Sequence, residues 1–289
     1  MDEIDKLEKC IQDLRLTDPR DDKKRIEETK GGLLEDSYRW IFHNARFHQW
    51  HNEPQNRLLW INGDPGKGKT MLLCGIVNEM KSPAKTALLA YFFCQATDAR
   101  INNATAVLRG LLYMLVDQQP LLASHIRKKH DHAGKALFKD ANAWVALYEI
   151  FINILQDPSL NSTHMIIDAL DECVEDLLKL LDFIVKQSSA SPHVKWIVSS
   201  RNWPDIEERL AKAEQGVKLS LELNAESVSA AVDVFIRQKV LQLSKNKKYD
   251  DKTREAVHHH LSSNADDTFL WVALVCQNLE EAEYLPALP

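Results

Sequence analysis

Short apolar runs alternate along the chain with segments whose hydrophobic positions recur every three to four residues. "RLLWIN" (57–62), "TALLAYFFC" (86–94), "HMIIDAL" (164–170), "VKWIVSS" (194–200) and "VKLSLEL" (217–223) predict strands buried on both faces. Between them, stretches near 70–81, 104–118, 141–155, 175–187 and 204–214 carry helical spacing, and Asp182 and Lys186 are placed to pair on one such face. Strand–helix–strand alternation predicts an α/β fold, with a mainly parallel sheet covered by helices on both faces.

The flanks have another texture. Residues 1–56 are polar and helical in rhythm, and in "LEDSYRWIFHNARFHQW" (34–50) Tyr38, Ile41, Phe42 and Ala45 share one apolar helix face. After Leu223 the strands stop. "NAESVSAAVDVFIRQKVLQL" (224–243) opens on Asn224 as a capping residue and aligns Val228, Val232, Phe235 and Val240. Two further helices are expected over 250–263 and 267–281. The division that follows is a helical N-terminal segment (1–56), an α/β core (57–224) and a small all-α domain (225–289). Within the last, "DDTFLWVALV" (266–275) is apolar most of the way round, so it is expected to be buried or to cover a neighbour.

Composition narrows the partners. The 289 residues carry 36 Lys+Arg against 42 Asp+Glu, a net charge of −6, and no basic field suited to nucleic acid or an anionic membrane. "IRKKHDH" (126–132) reads as a solvated helix face. Five scattered cysteines (Cys10, Cys74, Cys94, Cys173, Cys276) form no CxxC pair, which suits a reducing compartment. The N-terminus is too charged for a signal peptide, and no apolar run approaches the roughly 18–20 residues of a membrane span. A cytoplasmic chain is expected. His258, His259 and His260 point about 100° apart on a helix, so they cannot chelate one ion together.

Two motifs carry chemistry. Gly63-Asp64-Pro65-Gly66-Lys67-Gly68-Lys69-Thr70 satisfies GxxxxGK[ST] between a predicted strand and a predicted helix. Its backbone N–H groups and the helix N-terminus suit a phosphate chain; Lys69 would bridge the β- and γ-phosphates and Thr70 would ligate Mg²⁺. The second is "HMIIDALDEC" (164–173), an apolar strand ending in Asp168 with Asp171 and Glu172 just beyond. Asp168 would help hold the metal, and Asp171 or Glu172 would orient or deprotonate a water. Read from residues alone, the trio could also be a helix cap, and Arg201 in "SSRNWP" (199–204) a surface residue at a strand-to-helix turn.

With these elements the chain resembles the NACHT-domain STAND P-loop NTPases, in particular the fungal, NLR-like group linked to vegetative incompatibility and WD repeats. The segments that carry the resemblance are "DPRDDKKRIEETKGGLLEDSYRW", "RLLWINGDPGKGKTMLL", "IIDALDEC", "WIVSSRNWPDIEERL" and "DDTFLWVALV". It implies a three-layer α/β/α P-loop core with five strands ordered 5-1-4-3-2, a sensor arginine at Arg201 facing the γ-phosphate, and a linker around 18–32 near the base and ribose. Members of the group continue into a winged-helix domain and repeats. With 56 residues ahead of the first core strand and a close soon after the helical domain, this chain is expected to be a truncated member or the core alone.

The function expected is purine nucleoside triphosphate binding with slow Mg²⁺-dependent hydrolysis, working as a conformational signalling switch of innate-immunity or incompatibility type. ATP is slightly favoured over GTP, and protein partners or self-association through the core are expected. Two other readings stand beside it: a catalytically weak nucleotide-binding scaffold, and a small-molecule kinase, for which an Arg-rich lid is missing.

Overall fold

Strands that must be covered on both faces need uninterrupted apolar sequence, and the five that form here have it. The computed structural model describes residues 3–81 and 87–281. β1 (Leu58–Asn62), β2 (Leu88–Phe93), β3 (Thr163–Asp168), β4 (Val194–Ser200) and β5 (Gly216–Ser220) pair in parallel in the order β2-β3-β4-β1-β5. Read from the other edge this is 5-1-4-3-2, the order that the resemblance implies.

The register positions the site. Asn62 lies level with Ser200 on one side and Ser220 on the other, and Ile167 lies opposite Val198. The C-terminal ends of β1, β3, β4 and β5 therefore open at one edge, where parallel α/β sheets collect ligands.

In chain order the helices are α1 (Glu3–Leu14), α2 (Pro19–Thr29), α3 (Glu35–Tyr38), α4 (Ala45–Asn52), α5 (Lys69–Met80), α6 (Ala104–Gln118), α7 (Ala123–Ala133), α8 (Ala143–Leu155), α9 (Leu177–Ala190), α10 (Pro204–Leu210), α11 (Ala225–Lys247), α12 (Asp251–Asn264) and α13 (Phe269–Glu281). They cover both faces of the sheet, as alternation along β4 makes plain. Trp196 packs against Phe151 of α8 and Phe183 of α9. Its neighbour Lys195 points the other way and donates to the carbonyls of Trp50, His51 and Glu53 where α4 ends. A lysine on those unpaired carbonyls closes the helix and ties it to the sheet.

Several expectations shift. The helix expected over 34–50 is broken: α3 passes into a 3₁₀ turn (Arg39–His43), and Asn44 then caps α4 by accepting from the Arg46 N–H at 2.9 Å. Asn44 competes for the backbone, which a continuous helix could not allow. β3 stops at Asp168 because Ala169 turns to φ 55°, and β5 stops at Ser220, where Leu221 leads into a 3₁₀ turn (Glu222–Asn224). Asn224 stands at the start of α11, yet its side chain does not cap it. Its amide donates to Ser220 O at 2.6 Å and its oxygen accepts from Asn44 at 2.7 Å. Asp182 pairs with Arg209 of α10 in place of Lys186.

"IRKKHDH" is not wholly solvated, since Ile126 and His130 are buried and His130 meets Asp13 of α1 at 3.1 Å. α1 is anchored by a residue that the pattern did not single out. Arg109 of α6 is buried and donates to Leu14 O (2.9 Å), Asp13 O (3.0 Å) and Phe138 O (3.3 Å). Thr86, at the start of the second expected strand, and 282–289 lie outside the described residues.

Candidate functional site

The phosphate-loop motif forms the turn between β1 and α5, and its glycines explain its path. Gly66 and Gly68 adopt φ +81° and +83°, a region that other residues rarely occupy. A Cβ on Gly68 would stand 2.8 Å from the Phe269 ring, and one on Gly66 would stand 2.6 Å from Thr268 Cγ2. The loop is thus pressed by the start of α13, whose Phe269 N–H donates to Gly66 O at 3.0 Å, while Lys67 Nζ donates to Asp266 O at 3.0 Å. Phe269 was not singled out from sequence; the apolar run 266–275 was the available signal.

Gly68 leads directly into Lys69, so the first N–H groups of α5 face the loop without a side-chain cap. The Lys69 ammonium curls back to the Gly63 carbonyl and, at 2.9 Å, to the Asp64 carbonyl. Burial lowers its pKa, against the pull of Asp171 and Asp168. The other end of the loop is braced by Glu222, which accepts from the Asp64 N–H at 2.7 Å and from Ser220 Oγ at 2.9 Å. Asn202 donates to Asp64 Oδ1 at 3.1 Å. Glu222 and Asn202 were missed in the sequence because nothing local marks a residue just beyond the end of an adjacent strand.

At the tip of β3, Asp168 is fully buried. Ser199 Oγ of β4 donates to Oδ1 at 2.5 Å, and the Thr70 hydroxyl donates to the carboxyl group as well. Burial raises its pKa in spite of both hydrogen bonds. Ser199 also accepts the Ala169 N–H at 2.9 Å, which holds the left-handed turn after β3.

Asp171 and Arg201, thirty positions apart, are brought together. Asp171 Oδ1 accepts the Arg201 N–H at 2.9 Å, and Oδ2 meets Arg201 Nε at 3.0 Å. The Asp171 side chain is 3% exposed and that of Arg201 43%, so the acid is the buried anchor and the guanidinium keeps an open edge. Glu172 uses Oε2 to accept the Ala96 N–H at 3.0 Å.

Most of these side chains line one cavity of about 470 Å³, while Glu222 and Asn202 brace the loop from outside it. One wall is charged: Lys69, Thr70, Asp168, Asp171, Glu172 and Arg201. The other is Thr29–Gly32 and Leu34 after α2, with Phe235 and Lys239 of α11 and Phe269, Cys276 and Glu280 of α13. α2 is held there by the buried Lys23, which pairs with Glu27 and donates to Asn78 Oδ1 of α5 at 2.8 Å. Of the loop residues, Gly63, Asp64 and Lys67 sit behind the cavity wall, while Pro65, Gly66, Gly68, Lys69 and Thr70 line it. Chemically, the cavity joins an anion-binding helix N-terminus to hard oxygen donors suited to a divalent cation.

No helix among the described residues is long and apolar enough to cross a membrane. Residues 36–201 match the family described as nephrocystin 3, N-terminal. Over 280 residues the chain is 60% identical to vegetative incompatibility protein HET-E-1 of Podospora anserina, a match that covers 97% of this chain and 21% of that protein. The chain thus spans about a fifth of that relative's length. Among solved structures it is similar to the Walker-type ATPase PABY2304 of Pyrococcus abyssi, at 12% identity and a TM-score of 0.49, covering 84% of this chain and 65% of that one. PCH-2 of C. elegans is similar at 11% identity and a TM-score of 0.40, covering 86% and 62%.

Proposed function

The chain belongs to the nephrocystin 3, N-terminal family, and from that premise we propose that it binds a purine nucleoside triphosphate with Mg²⁺ and hydrolyses it slowly, as a conformational signalling switch. The observation that carries this reading is the conjunction at the sheet edge: a half-buried Lys69 at a glycine loop beside Thr70, Asp168 and Ser199. A half-buried cation and a buried acid, each with its pKa displaced by desolvation, face one another across a site suited to an anion and a cation.

In this reading 63–70 hold the phosphate chain, with Lys69 exchanging the Gly63 and Asp64 carbonyls for phosphate oxygens. Thr70 and Asp168 would hold the cation, and their oxygen donors fit Mg²⁺. When bound, the ion offsets charge that builds on phosphate oxygens. Asp171 has both oxygens committed to Arg201, so it acts as the positioning residue that aims the guanidinium into the cavity. Glu172, with Oε1 unengaged by the Ala96 N–H, is the residue that orients the attacking water. No acceptor other than water is required, which favours hydrolysis over a kinase reaction.

The division into a helical segment 1–56, a core 57–224 and a helical unit 225–289 belongs to the same proposal. The loop grips α13 through Phe269 N–H and Lys67, so a change at the phosphates is felt by the helical unit. Partners would read that movement, and HET-E-1, as a vegetative incompatibility protein, suggests a signalling setting. ATP is slightly favoured over GTP, and a cytoplasmic setting follows from the same reading.

Single-turnover hydrolysis of ATP and GTP tests the proposal with Glu172→Gln. The variant should bind as the wild type does and lose about 10²- to 10⁴-fold in rate, the usual contribution of a general base. Wild-type turnover by Glu172→Gln would remove the residue from the mechanism, and no phosphate release at all by the wild type would leave a nucleotide-holding scaffold.

A further inference from the structure

Lys239 brings a cation into the cavity from the middle of α11, on the wall across from the charged edge of the sheet. Its ammonium lies at the Gly31–Gly32 turn that follows α2. Gly31 has φ +88°, and a Cβ there would stand 2.8 Å from Lys239 Nζ, so the ammonium lies directly against a backbone turn that only glycine leaves open. On its other side Nζ is 5.6 Å from the centre of the Phe235 ring. It is near enough to Cys276 of α13 to oppose the burial that pushes that thiol up to about 11. Among the described residues no carboxylate comes within 4 Å of Nζ, and its direct contact is with the Phe235 ring.

An ammonium offers three donors and no acceptor, so its counterpart is an acceptor group or an anion. The charged wall already supplies Lys69 and Arg201 to phosphates. The wall that Lys239 shares is mixed: glycine backbone at Gly31 and Gly32, the aromatic residues Phe235 and Phe269, and Leu34, with Lys30 and Glu280 as its other charged groups. Apolar and aromatic surface with a few placed polar groups is what a sugar and a heterocyclic base require.

We propose that Lys239 is a nucleoside-contacting residue: its ammonium, seated between Gly31 and Phe235, donates to ribose or ring acceptor atoms of a nucleotide whose phosphates lie on 63–70, making α11 part of the binding site. This rests on the phosphate-loop reading above and adds a contact from the helical unit. It also gives a physical link between occupancy and the position of α11, because the nucleoside would bridge α11 to the Gly31–Gly32 turn.

The test is calorimetric titration of the full chain with ATP, GTP and inorganic tripolyphosphate, each with Mg²⁺, using Lys239→Met, Lys239→Arg and Lys69→Met. Lys239→Met should weaken the bound purine nucleotide by roughly 10- to 100-fold, the worth of one charge-assisted hydrogen bond, and leave tripolyphosphate within about twofold. Lys239→Arg should restore part of the loss, and it serves alone if the methionine variant melts below the wild type without ligand. Nucleotide binding by Lys239→Met equal to the wild type overturns the proposal, as does an equal loss of tripolyphosphate, which would place the ammonium on phosphate. The parent reading fails separately: Lys69→Met would then bind tripolyphosphate and nucleotide as well as the wild type.

Discussion

Replacing Lys69 with methionine separates a ligand-binding cation from a structural one, because the two roles carry opposite signs in the ligand-free protein. There the ammonium is half-buried, its pKa is lowered chiefly by desolvation, and it donates to the Gly63 and Asp64 carbonyls. Methionine keeps the apolar stem, removes the desolvation cost and forfeits two hydrogen bonds, effects of about 1–2 kcal/mol each way. The balance is within about 1 kcal/mol, or ~2 °C in melting temperature for a chain of this length. With nucleotide, two charge-assisted bonds to phosphate are lost at about 1.5–3 kcal/mol each, so affinity falls roughly 10²- to 10⁴-fold.

Calorimetry and thermal melting, with and without Mg²⁺-nucleotide, read both numbers. The pH dependence adds a check. A lysine whose folded pKa lies below 10.5 binds fewer protons folded than unfolded. The wild type should therefore gain stability as pH rises from that lowered pKa towards 10.5, and Lys69→Met should lack the gain. Undiminished nucleotide affinity in Lys69→Met refutes the reasoning. So does a ligand-free melting temperature that collapses by tens of degrees, since Lys69 would then be a strut.

Three further outcomes follow from the same geometry. Asp168 has a folded pKa raised above 3.8, so the ligand-free protein loses stability as pH rises through that raised value; Asp168→Asn should flatten this slope, stabilise the ligand-free chain at pH 7 and abolish the increment given by Mg²⁺-nucleotide in melting scans from pH 4 to 8. Gly68→Ala should cost about 1–3 kcal/mol in urea unfolding through its positive φ and the Phe269 ring at 2.8 Å, and Phe269→Ala should recover the clash but not the backbone strain. Arg109→Met strands three carbonyls around the end of α1, so about 2–4 kcal/mol of stability should go, with hydrogen exchange of 3–14 rising before that of the sheet.

Much of the fold was legible because its signals are local. Five apolar runs became the five strands, to within a few residues at their ends, and the helices expected over 250–263 and 267–281 formed as α12 and α13. The resemblance to fungal incompatibility proteins is upheld by the 60% identity to HET-E-1. Misjudged features were those where a polar side chain chose a distant partner. Asn224 bonds Asn44 instead of capping α11, Asp182 turns to Arg209, and His130 leaves its solvated neighbours for Asp13. Sequence spacing names the partners that are nearest along a helix, and tertiary packing supplied better ones.

By itself the sequence determined the glycine-rich loop, the acidic tip of β3 and the alternation that requires a covered parallel sheet, since glycine freedom and side-chain period act within a few residues. Only the tertiary structure decided which acid holds Arg201, which hydroxyls reach Asp168, and that Phe269 and Lys239 come to the loop's cavity. Those contacts depend on β4 lying between β1 and β3 and on α11 and α13 packing together beside the loop. They are set by register and burial across space, where neighbours in the chain exert no direct constraint.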